Sequence, residues 1–109
     1  GKEMISSDVI RGYTDTIILS LLRNEPGYGY EISRQISEIT EQKYTMRETT
    51  LYSAFNRLEK NGHLRSFYGA ESNGKRRTYY EITPAGRAYL EEKLTEWELT
   101  KEIIEKIIH

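Results

Sequence analysis

The sequence predicts a mainly α-helical (α+β) fold: three helices, a two-stranded hairpin, then one long helix. Three observations carry that expectation. Apolar residues recur at three-and-four spacing over residues 10–22, 32–39, 51–58 and 90–108. Two short aromatic-rich runs, 63–69 and 76–83, are joined through Asn73-Gly74, the dipeptide best suited to a tight hairpin turn. The chain has 109 residues, 37% of them hydrophobic and 30% charged, enough for one modest core in one folded unit.

The first helix is expected from a cap at Ser7 or Asp8 to a stop at Pro26-Gly27. Its stripe is Ile10, Tyr13, Ile17 and Leu21, widened by Ile18 and Leu22. Gly27-Tyr28-Gly29-Tyr30 reads as a loop with two flexible points. In the second helix Ile32, Ile36 and Ile39 share a face. Thr45-Met46-Arg47-Glu48 has the spacing of a capping box and opens a third helix. Leu51, Ala54, Phe55 and Leu58 are its apolar side, and Asn61-Gly62 its left-handed stop. Its opposite side holds Thr49, Ser53, Asn56 and Lys60, flanked by Thr50 and Arg57: small, polar and basic, without a central acid.

In the hairpin, Leu64, Ser66 and Tyr68 face one side, joined by Tyr80 and Ile82 from the second strand. Thr83-Pro84, a cap followed by Pro in the first turn, starts the last helix. This order of elements is that of a winged helix-turn-helix with an added C-terminal helix. The DNA-binding unit is expected over residues 5–83 and the C-terminal dimerisation helix over 84–109.

Charge points the same way. The formal net charge is −1, yet residues 43–77 hold eight bases against three acids, while each flank holds four bases against seven acids. A local basic segment in an acidic chain suits a phosphate-facing patch. Small hydroxyls, Asn and Arg can approach and read base edges in a major groove. Thr49, Thr50, Ser53 and Asn56 are therefore the expected groove contacts, and Arg47, Arg57 and Lys60 the phosphate contacts. Lys75, Arg76 and Arg77, beside the hairpin tip, are expected to reach the backbone or the adjacent minor groove.

The inventory is poor for catalysis. His63 and His109 share no metal-ligand spacing, and no nucleophile elbow, phosphate-binding loop or dinucleotide fingerprint is present. No enzyme activity, metal or cofactor is expected. With no cysteine, no membrane-length apolar run and no leader pattern, a cytoplasmic location is expected.

The last helix carries Leu90, Leu94, Trp97, Ile104 and Ile108 in one stripe, with Ile103 and Ile107 beside it. That stripe is too long for one small domain to cover, and a second copy would cover it. Two recognition helices about 34 Å apart would then read a near-palindromic site on double-stranded DNA. Trp97, the single tryptophan, is either a core anchor or, paired with its mate in a dimer, half of a sandwich for a planar aromatic or cationic molecule.

The residues resemble those of the PadR-type transcriptional regulators. The resemblance rests on Gly29-Tyr30-Glu31-Ile32 after the first helix. It rests also on Thr50-Leu51-Tyr52, Phe55 and Arg57-Leu58-Glu59 followed by Gly62. Gly74, Arg77, Tyr79-Tyr80, Ile82-Thr83 and Gly86 complete it. The short C-terminus with Glu96-Trp97 is similar to a compact branch that includes a lactococcal multidrug-binding repressor. The resemblance implies a cytoplasmic homodimeric repressor, with Trp97 in a ligand site at the dimer interface. Val9, Asp15, Thr16, Leu94 and Lys101 are its implied neighbours. A different reading of the same fold is a protein-interaction or small-molecule-sensing module with little DNA affinity.

Overall fold

The computed structural model describes residues 4–69 and 76–109. In it the first helical stretch is broken. Helix α1 (Ser7–Ile10) passes through a 3-10 turn (Arg11–Tyr13) into α2 (Thr14–Leu21). Gly12, a poor helix former, sits in the turn, and the Thr14 hydroxyl donates to the Arg11 carbonyl at 3.1 Å. The cap expected at Ser7 or Asp8 does not form. Ser6 holds the N-cap position without a side-chain bond, and Asp8 pairs instead with Arg11, 2.5 Å away.

The break also turns the buried side. Ile18, Leu19 and Leu22 are fully enclosed, whereas Ile10, Ile17 and Leu21 pack only at the edge of the core. The helix ends well before Pro26-Gly27, with Leu22 as its C-cap.

Helices α3 (Gly29–Ile39) and α4 (Glu48–Lys60) form the helix-turn-helix. Ile32 and Ile36 are buried, but Ile39, at the last turn of α3, is exposed and leaves the expected stripe. The link between them is a built part. Glu41 and Gln42 take left-handed backbone angles, φ 55° and 61°, and the Gln42 N–H donates to the Ser37 carbonyl at 2.7 Å. Thr40 Oγ1 accepts from the Tyr44 N–H at 3.2 Å, while Tyr44 and Met46 drop into the core.

Burying Met46 displaces the capping box. The chain stays extended through Arg47, which is the N-cap, and the Thr45 hydroxyl lies 3.3 Å from that of Ser37 rather than on the helix end. From Glu48 onward α4 behaves as its pattern requires: Leu51, Ala54, Phe55 and Leu58 are all enclosed. Each such apolar side chain larger than Ala contributes about 1.5–3 kcal/mol by leaving water. Gly62, at φ 80°, makes the turn out of α4, and the His63 N–H closes onto the Leu58 carbonyl at 2.8 Å.

Strands β1 (Leu64–Tyr68) and β2 (Thr78–Ile82) pair antiparallel, Leu64 with Ile82 and Ser66 with Tyr80. Leu64 and Tyr80 face the core as the alternation requires, and Tyr80 stacks on Phe55 with centroids 4.1 Å apart. The Asn73-Gly74 turn lies outside the described residues. On the other edge of β2, Gly27 forms a one-residue antiparallel bridge with Tyr80, its N–H and carbonyl bonded at 3.0 and 2.8 Å. Gly27 and Gly29 thus serve close approach and not flexibility, since neither has a positive φ. A Cβ on Gly29 would lie 2.2 Å from the Tyr52 hydroxyl of α4.

Helix α5 (Pro84–Ile107) starts as expected: Thr83 Oγ1 accepts from the Gly86 N–H at 2.9 Å and Pro84 occupies the first turn. Its N-terminal half packs through Leu90, Leu94 and Tyr89. Beyond it, Ile103, Ile104, Ile107 and Ile108 are exposed. The radius of gyration, 15.2 Å, exceeds the roughly 13 Å of a compact chain of this length because α5 projects.

A Cβ on Gly86 would meet the His63 carbonyl oxygen at 2.1 Å, a backbone atom that cannot swing aside. Gly86→Ala should therefore lose about 1–3 kcal/mol. Gly12→Ala, with nothing within 4 Å of its added carbon, is the control. Urea midpoints measure both, and equal midpoints would rule out the proposed crowding.

Candidate nucleic-acid interface

The polar side of α4 is exposed along its length. Arg47, Thr49, Thr50, Ser53, Asn56, Arg57 and Lys60 are all open to solvent, because the buried set at Leu51, Ala54, Phe55 and Leu58 takes the opposite side of the same turns. Two adjoining clefts run between this helix and the first helical segment. One, about 420 Å³, is lined by Arg47 and Thr50 across from Ser7, Asp8 and Arg11. The next, about 470 Å³, is lined by Thr49, Thr50, Ser53 and Arg57 across from Arg11 and Thr14. Asn56 and Lys60 lie outside both. Arg11 was missed in the sequence because its place beside α4 depends on the break at Gly12, which the apolar pattern does not record.

Arg57 is held from below. Its guanidinium pairs with Asp15 Oδ1, and Asp15 Oδ2 accepts from the Tyr89 hydroxyl at 3.1 Å. One carboxylate thereby joins α2, α4 and α5. The Arg57 side chain keeps half of its surface while Asp15 keeps 19%, so the pair is sheltered on the acid's side only. Asp15, implied as a ligand neighbour, is occupied within the fold. Tyr89 also stacks on His63, at 4.2 Å and 7°. Burial first, and then the Asp15 carboxylate, pushes the Tyr89 phenol above its usual range.

On the wing, Arg76 lies over the Tyr68 ring at 5.5 Å and Arg77 over Tyr28 at 4.4 Å. Both arginines are exposed. The Gly69 N–H bonded to the Arg77 carbonyl at 2.9 Å extends the hairpin toward its tip. Lys75 lies outside the described residues. The outer side of the sheet bears Tyr28, Tyr79 and Phe67 in a row, with centroids 5.3 and 5.7 Å apart.

Trp97 lies outside the enclosed core. It is 38% exposed and meets the edge of Tyr13 at 5.1 Å, with the Lys101 ammonium 5.4 Å from its ring centroid. Lys101 also pairs with Glu98 at 3.0 Å. Of the other implied neighbours, Val9 is exposed, Thr16 is half-buried and Leu94 packs against the core.

A helix-turn-helix followed by an antiparallel wing and a capped C-terminal helix defines a winged helix-turn-helix protein. The chain matches the family model described as "Transcriptional regulator PadR-like family" over residues 18–92, and belongs to that family. It is similar to a solved transcriptional regulator from Clostridium thermocellum. The two share 59% identity and a TM-score of 0.89, over 97% of this chain and 100% of the other. A PadR family transcription regulator from Clostridium difficile is 35% identical, with a TM-score of 0.77, over 90% of this chain and 100% of that one. An uncharacterized protein from Lysinibacillus sphaericus is 48% identical over 94% of each chain. Among the described residues no helix is long and apolar enough to cross a membrane.

The tyrosines set an alkaline limit. Tyr44, Tyr80 and Tyr89 all have pKa values raised above the ordinary 10.0, with burial the first cause in each. A raised pKa in the folded state gives stability that is complete below the unfolded value. It is lost as pH rises through the folded one. The urea midpoint should hold to about pH 9.5 and fall above it, and Tyr89→Phe should shallow that fall. An unchanged alkaline slope in the variant would overturn the role of Tyr89.

Proposed function

We propose that this chain is a dimeric, sequence-specific DNA-binding repressor acting in the cytoplasm. The observation that carries the proposal is the side of α4 bearing Thr49, Thr50, Ser53 and Asn56. It is continuous, exposed and free of acids, and stands on a helix whose other side is locked into the core. These four would read base edges, with Arg47, Arg57 and Lys60 on phosphates and Lys75, Arg76 and Arg77 reaching from the wing. Residues 5–83 would form the DNA-binding unit and 84–109 the dimerisation arm. Replacing Arg76 and Arg77 together by Ala should weaken binding to all DNA sequences. The salt dependence of log affinity should become shallower by roughly two units per subunit. Titration of a duplex from the gene's own upstream region against salt measures it. No specific complex at micromolar protein would favour the protein-interaction or sensing module instead.

The dimer is supported by the four exposed isoleucines at the end of α5, which none of the described residues covers. The ligand reading is supported by the open Trp97 ring beside Tyr13 and Lys101: a planar aromatic molecule between two such rings would release the operator. Ile104→Glu with Ile108→Glu should give monomers in sedimentation velocity. It should also abolish the quenching of Trp97 fluorescence by planar dyes seen with the parent. Monomers that still quench would separate the ligand site from the dimer, and a parent that is monomeric would end both ideas.

A further inference from the structure

The geometry points to a phosphate-binding trough between α4 and the first helical segment, with Arg11 as its far wall. This rests on the DNA-binding reading above and adds to it a contact from outside the helix-turn-helix. Arg11, Thr14 and Thr50 line both clefts, so the two are one continuous trough. Arg47 and Arg57 stand along the α4 side at opposite ends of it. Arg11 stands across from them on the 3-10 turn. Three guanidiniums on two walls, with Thr49, Thr50 and Ser53 hydroxyls between, suit a chain of anions running lengthwise. That chemistry is the phosphodiester backbone of duplex DNA.

Two of the three arginines are already oriented. Asp8 holds Arg11 and Asp15 holds Arg57, each from the first helical segment and not from α4. These acids lower the net charge of the trough and give two of the guanidiniums a partner in the first helical segment. The Asp8–Arg11 pair is 79% and 75% exposed, so its loss costs the fold little. That makes Arg11 a clean probe.

The test uses the full-length chain and a mixed-sequence duplex of about 30 base pairs, with anisotropy measured from roughly 50 to 200 mM salt. Arg11→Ala should weaken binding severalfold and reduce the salt slope by about 0.9 per subunit, the effect of one phosphate contact. Arg11→Lys should recover the slope, since a single charge suffices for counterion release, while affinity returns only in part. Thermal midpoints equal to the parent's exclude a folding defect. A parental slope for Arg11→Ala, where Arg47→Ala and Arg57→Ala each lower it, would remove Arg11 from the interface and leave the α4 reading intact. If none of the three changes the slope, the DNA reading itself fails and the trough falls with it.

Discussion

The junction of His63, Thr83 and Gly86 is the constraint on which the arrangement depends. There α4 ends, β1 begins, β2 ends and α5 begins, within a few residues of backbone. The Thr83 hydroxyl donates to the Gly62 carbonyl at 2.6 Å and accepts from the Gly86 N–H, while the Thr83 N–H donates to the His63 carbonyl at 3.2 Å. One side chain therefore satisfies groups from both helix ends, the backbone donors and acceptors that otherwise go unpaired there. Gly86 lets α5 come down onto the His63 carbonyl, closer than any other residue would allow. The direction of α5 is thereby set by the end of the helix that carries the exposed polar side.

From that junction the core spreads along α4. Phe55 meets Tyr80 of the wing on one side and belongs to the same enclosed cluster as Ile18, Ile36 and Leu90. Glu59 accepts from both the N–H and the hydroxyl of Ser66, tying the last turn of α4 to β1. The ion pairs along α5, such as Lys106 with Glu102, are exposed and worth at most about 0.5 kcal/mol each. Packing holds the first half of α5 in place, whereas its second half has no such support among the described residues.

What could be read directly in the residues was what local chemistry decides. Thr83-Pro84 could only start a helix, Gly62 could only turn out of one, and the α4 stripe had one apolar side. The alternation of Leu64, Ser66 and Tyr80 placed the wing on the core. What escaped depends on partners distant in the chain. Met46 is buried in the shared core, and this moves the helix start away from Thr45 to Arg47. The two glycines around Tyr28 are needed because β2 and Tyr52 come close, a demand the local spacing does not record. Asp15 bonds Arg57 and Tyr89, 42 and 74 residues further on, partners that the local spacing does not record.

The 3-10 turn at Arg11–Tyr13 faces two ways. Arg11 at one end of it borders the trough beside α4, and Tyr13 at the other end touches Trp97 of α5. The cleft beside α4 and the half-open indole ring are thus met from the two ends of one three-residue turn. Thr14, bonded to the Arg11 carbonyl and itself buried, anchors that turn to the core. A turn this short leaves only a few backbone torsions between the guanidinium and the phenol ring.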